Sequence, residues 1–147
     1  MDAAGVQRVC YPDISLTNGV SSDVRYGANR NQRVWDSKLY SVTTEVTRSV
    51  IRAFSMDGSI QLLHETDGSV DDFDIGEGGV VFIGQRGMKL QELYTLRDGR
   101  ESCVSAFNDG KVDEAALGAL HHMTFQNGGS DVHYLVLEPA AMEPGKQ

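Results

Sequence analysis

Residues 64–79, HETDGSVDDFDIGEGG, carry the densest group of potential ligands in the chain. They hold six carboxylates and four glycines, and no Lys or Arg. Calcium in proteins takes about six to eight oxygen ligands, often from alternate positions of one loop. Asp72 and Asp74 alternate in this way, but Gly76 follows Ile75 and no glutamate closes the loop. The stretch therefore departs from a helix–loop–helix calcium site.

Three interpretations of this acidic stretch remain. It forms a solvated connection between two strands, a surface for a basic protein partner, or a calcium loop of another kind. The candidate residues are the same in each case: Asp67, Asp71, Asp72, Asp74 and Glu77.

A second candidate follows directly, where VVFIGQRGMK (80–89) places a Gly-Gln-Arg-Gly turn after a predicted strand. Turns between a strand and a helix bind phosphate because backbone N–H groups converge there. Arg86, Gly87 and Lys89 would form such an anion site. The spacing lacks the further glycine of a dinucleotide fingerprint and the Gly-Lys-Ser/Thr ending of a P-loop.

Histidine and cysteine offer little catalytic or zinc chemistry. Zinc needs three or four converging ligands, whereas His121 and His122 are consecutive and should point apart. Cys103 lies within an apolar alternation, which favours a buried, inert thiol. We expect no catalytic residue, metal ion or cofactor. The alternative is a small hydrolase-like enzyme using His64, Glu65 or the histidine pair.

The basic half of the chain lies before the acidic stretch. Residues 1–55 have a net charge of +2 and residues 56–147 have −10. Arginines alternate with aromatic side chains here, as at protein interfaces, and the residues expected to contact a partner are Arg25, Tyr26, Arg30, Arg33 and Trp35. The acidic remainder argues against nucleic acid as the main partner, because binding there depends on neutralising phosphates.

Glycine-containing turns predict the elements that carry these residues. Six Asx-Gly dipeptides tolerate the positive φ of tight hairpin turns. The clearest predicted hairpins are SVIRAFSM-DG-SIQLLHET and HHMTFQ-NGGSD-VHYLVLE, and further strands are expected at 40–47, 79–84 and 102–107.

One helix is predicted at 111–123, because its apolar residues follow helical spacing. These residues are Val112, Ala115, Ala116, Ala119, Leu120 and Met123. Residues 88–96 fit either a helix or a strand. The expected fold is mostly β (α+β), an antiparallel sandwich or barrel with this one helix. The alternative is a small α/β unit over 79–138.

The expected organisation is a basic, weakly structured arm (1–38), a β-rich domain (39–139) and a tail (140–147). No apolar run is long enough for a membrane span, and the first residues lack the apolar core of a signal peptide. We therefore expect cytoplasmic synthesis without a recognisable secretion signal, and reduced Cys10 and Cys103.

The absence of a convergent catalytic set, together with a basic arm and an acidic body, favours association over catalysis. The expected function is that of a non-enzymatic structural or assembly protein, such as a small accessory or decoration protein of a viral particle. Its arm would dock on an acidic surface of a neighbouring copy or a partner protein. The alternatives are a binding module for calcium or an anionic ligand at 64–89, and an acidic inhibitor that mimics nucleic acid.

Overall fold

The computed structural model describes residues 5, 8–10, 13–20, 30–65 and 67–141. In these residues the protein is mostly β, with three antiparallel sheets of four, four and two strands and almost no helix. The mostly-β prediction is therefore confirmed. No helix in this part of the chain is both long and apolar enough to cross a membrane.

The first sheet is a meander, in which each strand pairs with the next along the chain. Its strands are β1 (Gln32–Trp35), β2 (Lys38–Glu45), β3 (Arg48–Ser55) and β4 (Ile60–Glu65). The β3–β4 hairpin is the one predicted around Asp57-Gly58. Its register shifts between Ile51 and Arg52, so β4 bends at that point.

The second sheet repeats this arrangement. Its strands are β5 (Asp72–Gly76), β6 (Gly79–Gly84), β7 (Glu92–Arg97) and β8 (Arg100–Cys103). The ambiguous segment 88–96 thus contributes to strand β7, and the α/β alternative over 79–138 is wrong. Both sheets are open, and the described residues form no closed barrel.

The tight turns follow from residues that tolerate positive φ. Asp98 and Gly99 connect β7 to β8 with φ values of 52° and 71°, as a type I′ turn requires. Asp36 and Ser37 connect β1 to β2 with φ values of 44° and 58°. The second turn contains no glycine, so the Asx-Gly rule did not identify it.

The third sheet is a hairpin of two nine-residue strands, β9 (Ala119–Asn127) and β10 (Ser130–Glu138). The hairpin was predicted, although its connection contains only Gly128 and Gly129 instead of five residues. The helix predicted at 111–123 is wrong in its extent, because within that segment only α1 (Glu114–Leu117) is helical.

Gly118 ends this helix. Its φ is +87°, and a Cβ there would lie 1.9 Å from the carbonyl oxygen of Glu138. Only glycine fits this close approach between the chain entering β9 and the chain leaving β10. The apolar spacing that resembled a helix is therefore divided between a short turn and a strand.

The hydrophobic core joins the two four-stranded sheets. Side chains from β2, β3, β5, β6 and β7, with Val70 from the connection between the sheets, form one buried cluster: Tyr40, Val42, Ile51, Ala53, Val70, Phe73, Val80, Phe82, Tyr94 and Leu96. Within each strand the members alternate, as expected for one face of a pleated strand. Phe82 lies at the centre, stacked on Tyr94 with ring centroids 5.4 Å apart.

Part of the N-terminal segment packs against the first sheet and the connection that follows it. The side-chain amide of Asn18 donates to the carbonyl oxygen of Val70 at 2.6 Å, and its oxygen accepts from the Ser49 hydroxyl at 3.1 Å. Val9 and Leu16 line a separate apolar pocket with Phe54, whose position in β3 alternates with those of the core residues Ile51 and Ala53. The described part of this segment is therefore docked on its own body.

Replacing the central aromatic residue should test this core. Phe82→Ala should lower the free energy of unfolding by about 3–5 kcal/mol, through lost burial and a residual cavity. Urea denaturation followed by circular dichroism measures the change. Phe107→Ala is the matched control, because Phe107 is 69% exposed, and it should cost under about 0.5 kcal/mol. Equal losses in the two variants would contradict this description of the core.

Candidate functional site

Arg33 connects the basic arm to the acidic stretch. Its guanidinium lies 3.0 Å from Asp72 Oδ1 and 3.4 Å from Asp74 Oδ1, and 5.3 Å from the ring centroid of Phe73. β1 is an edge of the first sheet and β5 an edge of the second. The ion pairs therefore form across the seam where these two edges meet.

Little else holds β1 in place. All four of its residues are exposed or half-buried, and none belongs to the core. Main-chain pairing with β2 fixes its register, and Arg33 also donates to the carbonyl oxygen of Arg30 at 2.7 Å. The strand is therefore held by hydrogen bonds and charge rather than by apolar burial.

The other predicted partner-binding residues of the arm fall into two groups. Arg30 and Trp35 are exposed beside Arg33. Arg25 and Tyr26 lie outside the described residues. Of the five predicted positions, the structure thus places Arg33 directly on the acidic stretch, and Arg30 and Trp35 lie within three residues of Arg33.

The acidic stretch is not uniformly solvated. Asp71 is only 3% exposed, and its backbone N–H donates to the carbonyl oxygen of Ile83 at 2.7 Å. Asp67, Asp74 and Glu77 are exposed. Within the described ranges no three His, Cys, Asp or Glu side chains are placed to hold a metal ion together. The candidate calcium ligands therefore do not converge.

The candidate anion site has a different geometry from the one expected. Arg86 donates to both carboxylate oxygens of Glu101 at 2.8 Å, and also to the carbonyl oxygens of Ser69 and Gln85. Its guanidinium lies 4.6 Å from the ring centroid of Tyr94. No helix follows the turn at Gly87, and Lys89 is exposed. The charge of Arg86 is thus directed at Glu101 rather than at solvent.

Glu101 also joins the two sheets at their other edges. His64 on β4 lies 2.6 Å from Glu101 Oε2 on β8, so the carboxylate is held between His64 and Arg86. Burial alone would raise the pKa of the Glu101 carboxyl. The hydrogen bonds and charges of Arg86 and His64 outweigh burial and lower this pKa from its ordinary value of 4.5. Sequence reasoning missed Glu101, because nothing local marks its distant partners.

A second carboxylate, that of Glu92, fixes the loop after β8. It accepts hydrogen bonds from the Ser105 hydroxyl and from the backbone N–H groups of Phe107 and Asn108. The Ser105 hydroxyl is the main cause of its lowered pKa. This arrangement anchors the loop that follows β8.

The histidines and cysteines considered for catalysis are dispersed. His121 contacts Glu138 at 3.0 Å, whereas His122 contacts Thr47 at 3.4 Å on the opposite face of the hairpin. His133 lies 3.0 Å from Thr124. Cys103 is exposed, contrary to the expected burial, and both Cys10 and Cys103 are free thiols. These groups do not form one catalytic set.

Comparison with known proteins adds no assignment: no family model matches the sequence, and no curated protein is significantly similar to it.

Removing the charge of Glu101 should weaken the joined edges of the two sheets. Glu101→Gln should lower the free energy of unfolding by about 2 kcal/mol at neutral pH, the range expected for hydrogen bonds to a charged group. Urea denaturation at several pH values measures this difference.

The pH dependence follows from the lowered pKa of Glu101. Its contribution to stability is complete above the unfolded value of 4.5 and is lost as the pH falls through the lower folded pKa. The difference between wild type and Glu101→Gln should therefore shrink below about pH 4.5. Glu77→Gln, at an exposed turn, should give a small difference at every pH. A Glu101→Gln difference that grows as the pH falls below 4.5 would refute this account.

Proposed function

We propose that this protein is a non-enzymatic structural or assembly protein, whose N-terminal arm docks on an acidic surface of a neighbouring copy or a partner protein. A small accessory or decoration protein of a larger particle, such as a virion, has this character. We also propose that the two four-stranded sheets form a β sandwich. The shared core supports that description, because both sheets contribute one face to it.

The observation that carries the proposal is the fit of Arg33 to Asp72, Phe73 and Asp74. The guanidinium meets two carboxylates and an aromatic ring in one place, a combination typical of arginine at protein interfaces. The contact here is within one chain. It supports docking of an arm on this acidic surface, since the same groups can meet between two copies.

Exchange of β1, the part of the arm that carries Arg33, requires little loss of apolar burial. β1 contributes no core residue, and its ion pairs involve partly exposed groups. Swapping an identical element between protomers keeps the contacts and changes only which chain supplies them. Asp67, Asp74 and Glu77 remain exposed for a basic partner, and Arg30 and Trp35 remain exposed on the arm.

Reversing the charge of the arm tests this proposal. Arg30→Glu combined with Arg33→Glu should weaken association and remove most of its salt dependence, because the same carboxylates would repel the arm. Light scattering behind a sizing column, at low and high salt, measures the mass. The fold should persist, since neither residue lies in the core.

Arg100→Glu combined with Lys111→Glu is the matched control. It changes the net charge equally, at exposed positions away from the seam, and should leave association unchanged. If the wild-type protein is monomeric at low salt, the arm does not bind a neighbouring copy, and the proposal is then restricted to a different partner protein. Equal masses for the arm variant and an associating wild type would disprove the proposal.

A further inference from the structure

The β9–β10 hairpin exposes apolar side chains that a water-soluble body would bury. Every residue of β9 is exposed, and in β10 only Val132 is half-buried. The large exposed apolar residues of the hairpin are Leu120, Met123, Phe125, Tyr134, Leu135, Val136 and Leu137. Main-chain pairing holds β9 and β10 together through nine residue pairs. A two-stranded ribbon alone is only marginally stable in water, so the hairpin calls for a partner.

The two faces of the hairpin differ in their position relative to the body. On the first face, His122 reaches Thr47 in the β2–β3 turn, and Leu137 lines a concave region with Leu117 and Pro139. The second face carries the more continuous apolar surface. Its residues, given by the alternation and register, are Ala119, His121, Met123, Phe125, Asn127, Ser130, Val132, Tyr134, Val136 and Glu138.

The second face has an apolar centre. Met123 and Tyr134 form the fifth of nine residue pairs and so lie at this centre. Phe125 and Val132 lie on one side of it, and Val136, opposite the polar His121, lies on the other. The end pairs carry the polar residues Asn127, Ser130 and Glu138. A two-fold axis through the centre would place the apolar centre of one copy on that of the other and leave polar residues at the rim, as stable interfaces have.

From this pattern we infer that the second face of the hairpin binds the same face of a second copy of this chain. The two ribbons pack face to face, about 10 Å apart as in stacked sheets. Phe125 and Tyr134, which meet edge-on at 5.8 Å within one hairpin, form the aromatic centre of the interface.

The available area fits a dimer that depends on concentration. A nine-residue ribbon is about 30 Å long, and one such face offers on the order of 500 Å² per copy. The pair therefore buries about 1,000 Å², the lower end for specific interfaces. The hairpin contains no Lys or Arg and only two carboxylates, Asp131 and Glu138. This composition suits an apolar partner and gives little attraction for nucleic acid.

This interface deepens the proposed function, since it names a second copy as the partner, but it rests on a different contact. The arm contact is ionic and should weaken as salt rises. The hairpin contact is apolar and should persist at high salt. Failure of one contact can therefore be distinguished from failure of the other by measuring mass at both salt concentrations.

The decisive experiment compares two charge insertions in the full chain. Met123→Glu lies at the centre of the second face, and Thr124→Glu lies one residue later on the first face. At high salt and concentrations from low micromolar to near-millimolar, the wild type and Thr124→Glu should approach twice the monomer mass of 16.0 kDa. Met123→Glu should stay monomeric. A wild type that remains monomeric throughout, or equal masses for the two variants, would overturn the inference.

Crosslinking keeps the test valid if a charged variant misfolds. In a chain with Cys10→Ser and Cys103→Ser, Met123→Cys should form a covalent dimer with a short bis-maleimide reagent, because the two copies of residue 123 lie beside the two-fold axis. Thr124→Cys, on the first face, should not. Dimers formed equally by both variants would contradict the assigned face.

Discussion

The fold depends on one constraint, which is that two open sheets must bury a single shared core although their edge strands are largely exposed. The apolar faces meet around Phe82 and Tyr94, but a core of this kind ends abruptly at the sheet edges. At each end of the core, an arginine forms an ion pair beside the sheet edges. Arg33 spans β1 and β5, and Arg86 holds Glu101 on β8, where His64 of β4 arrives. Ion pairs therefore lie at both edges of the apolar core.

The ion pairs of Arg86 and Arg33 differ in geometry and in exposure to solvent. Arg86 meets its carboxylate through two parallel hydrogen bonds and lies over two aromatic rings, an arrangement that excludes water and fixes direction. Arg33 shares its charge between Asp72 and the largely exposed Asp74, where solvent screens the attraction. The ion pairs at the β1–β5 edge are therefore more exposed to solvent than those at the β4–β8 edge.

The sequence allowed local structure to be predicted better than long-range pairing. Asp57-Gly58 and Asn127-Gly128 marked two hairpins, because the turn itself selects such residues. The helix predicted at 111–123 was too long because apolar spacing does not show that Gly118 adopts a positive φ. The spacing also does not show the nine residue pairs between β9 and β10, because no local pattern relates those residues. The candidate site shows the same division. Composition indicated Arg33 and the acidic stretch as candidate contact residues. The pairing of Glu101 with Arg86 and His64 depends on how the sheets pack, which no local pattern shows.

The order of the strands has a further consequence for how the molecule is put together. Residues 32–65 supply all described strands of the first sheet and residues 72–103 all those of the second, and none of these strands crosses from one sheet to the other. A single backbone cut in the short connection between them would leave two complete meanders, each with its own half of the core. In this sense the covalent chain acts as a tether, which raises the local concentration of two complementary fragments. The two four-stranded meanders are therefore complementary halves that one short connection holds together.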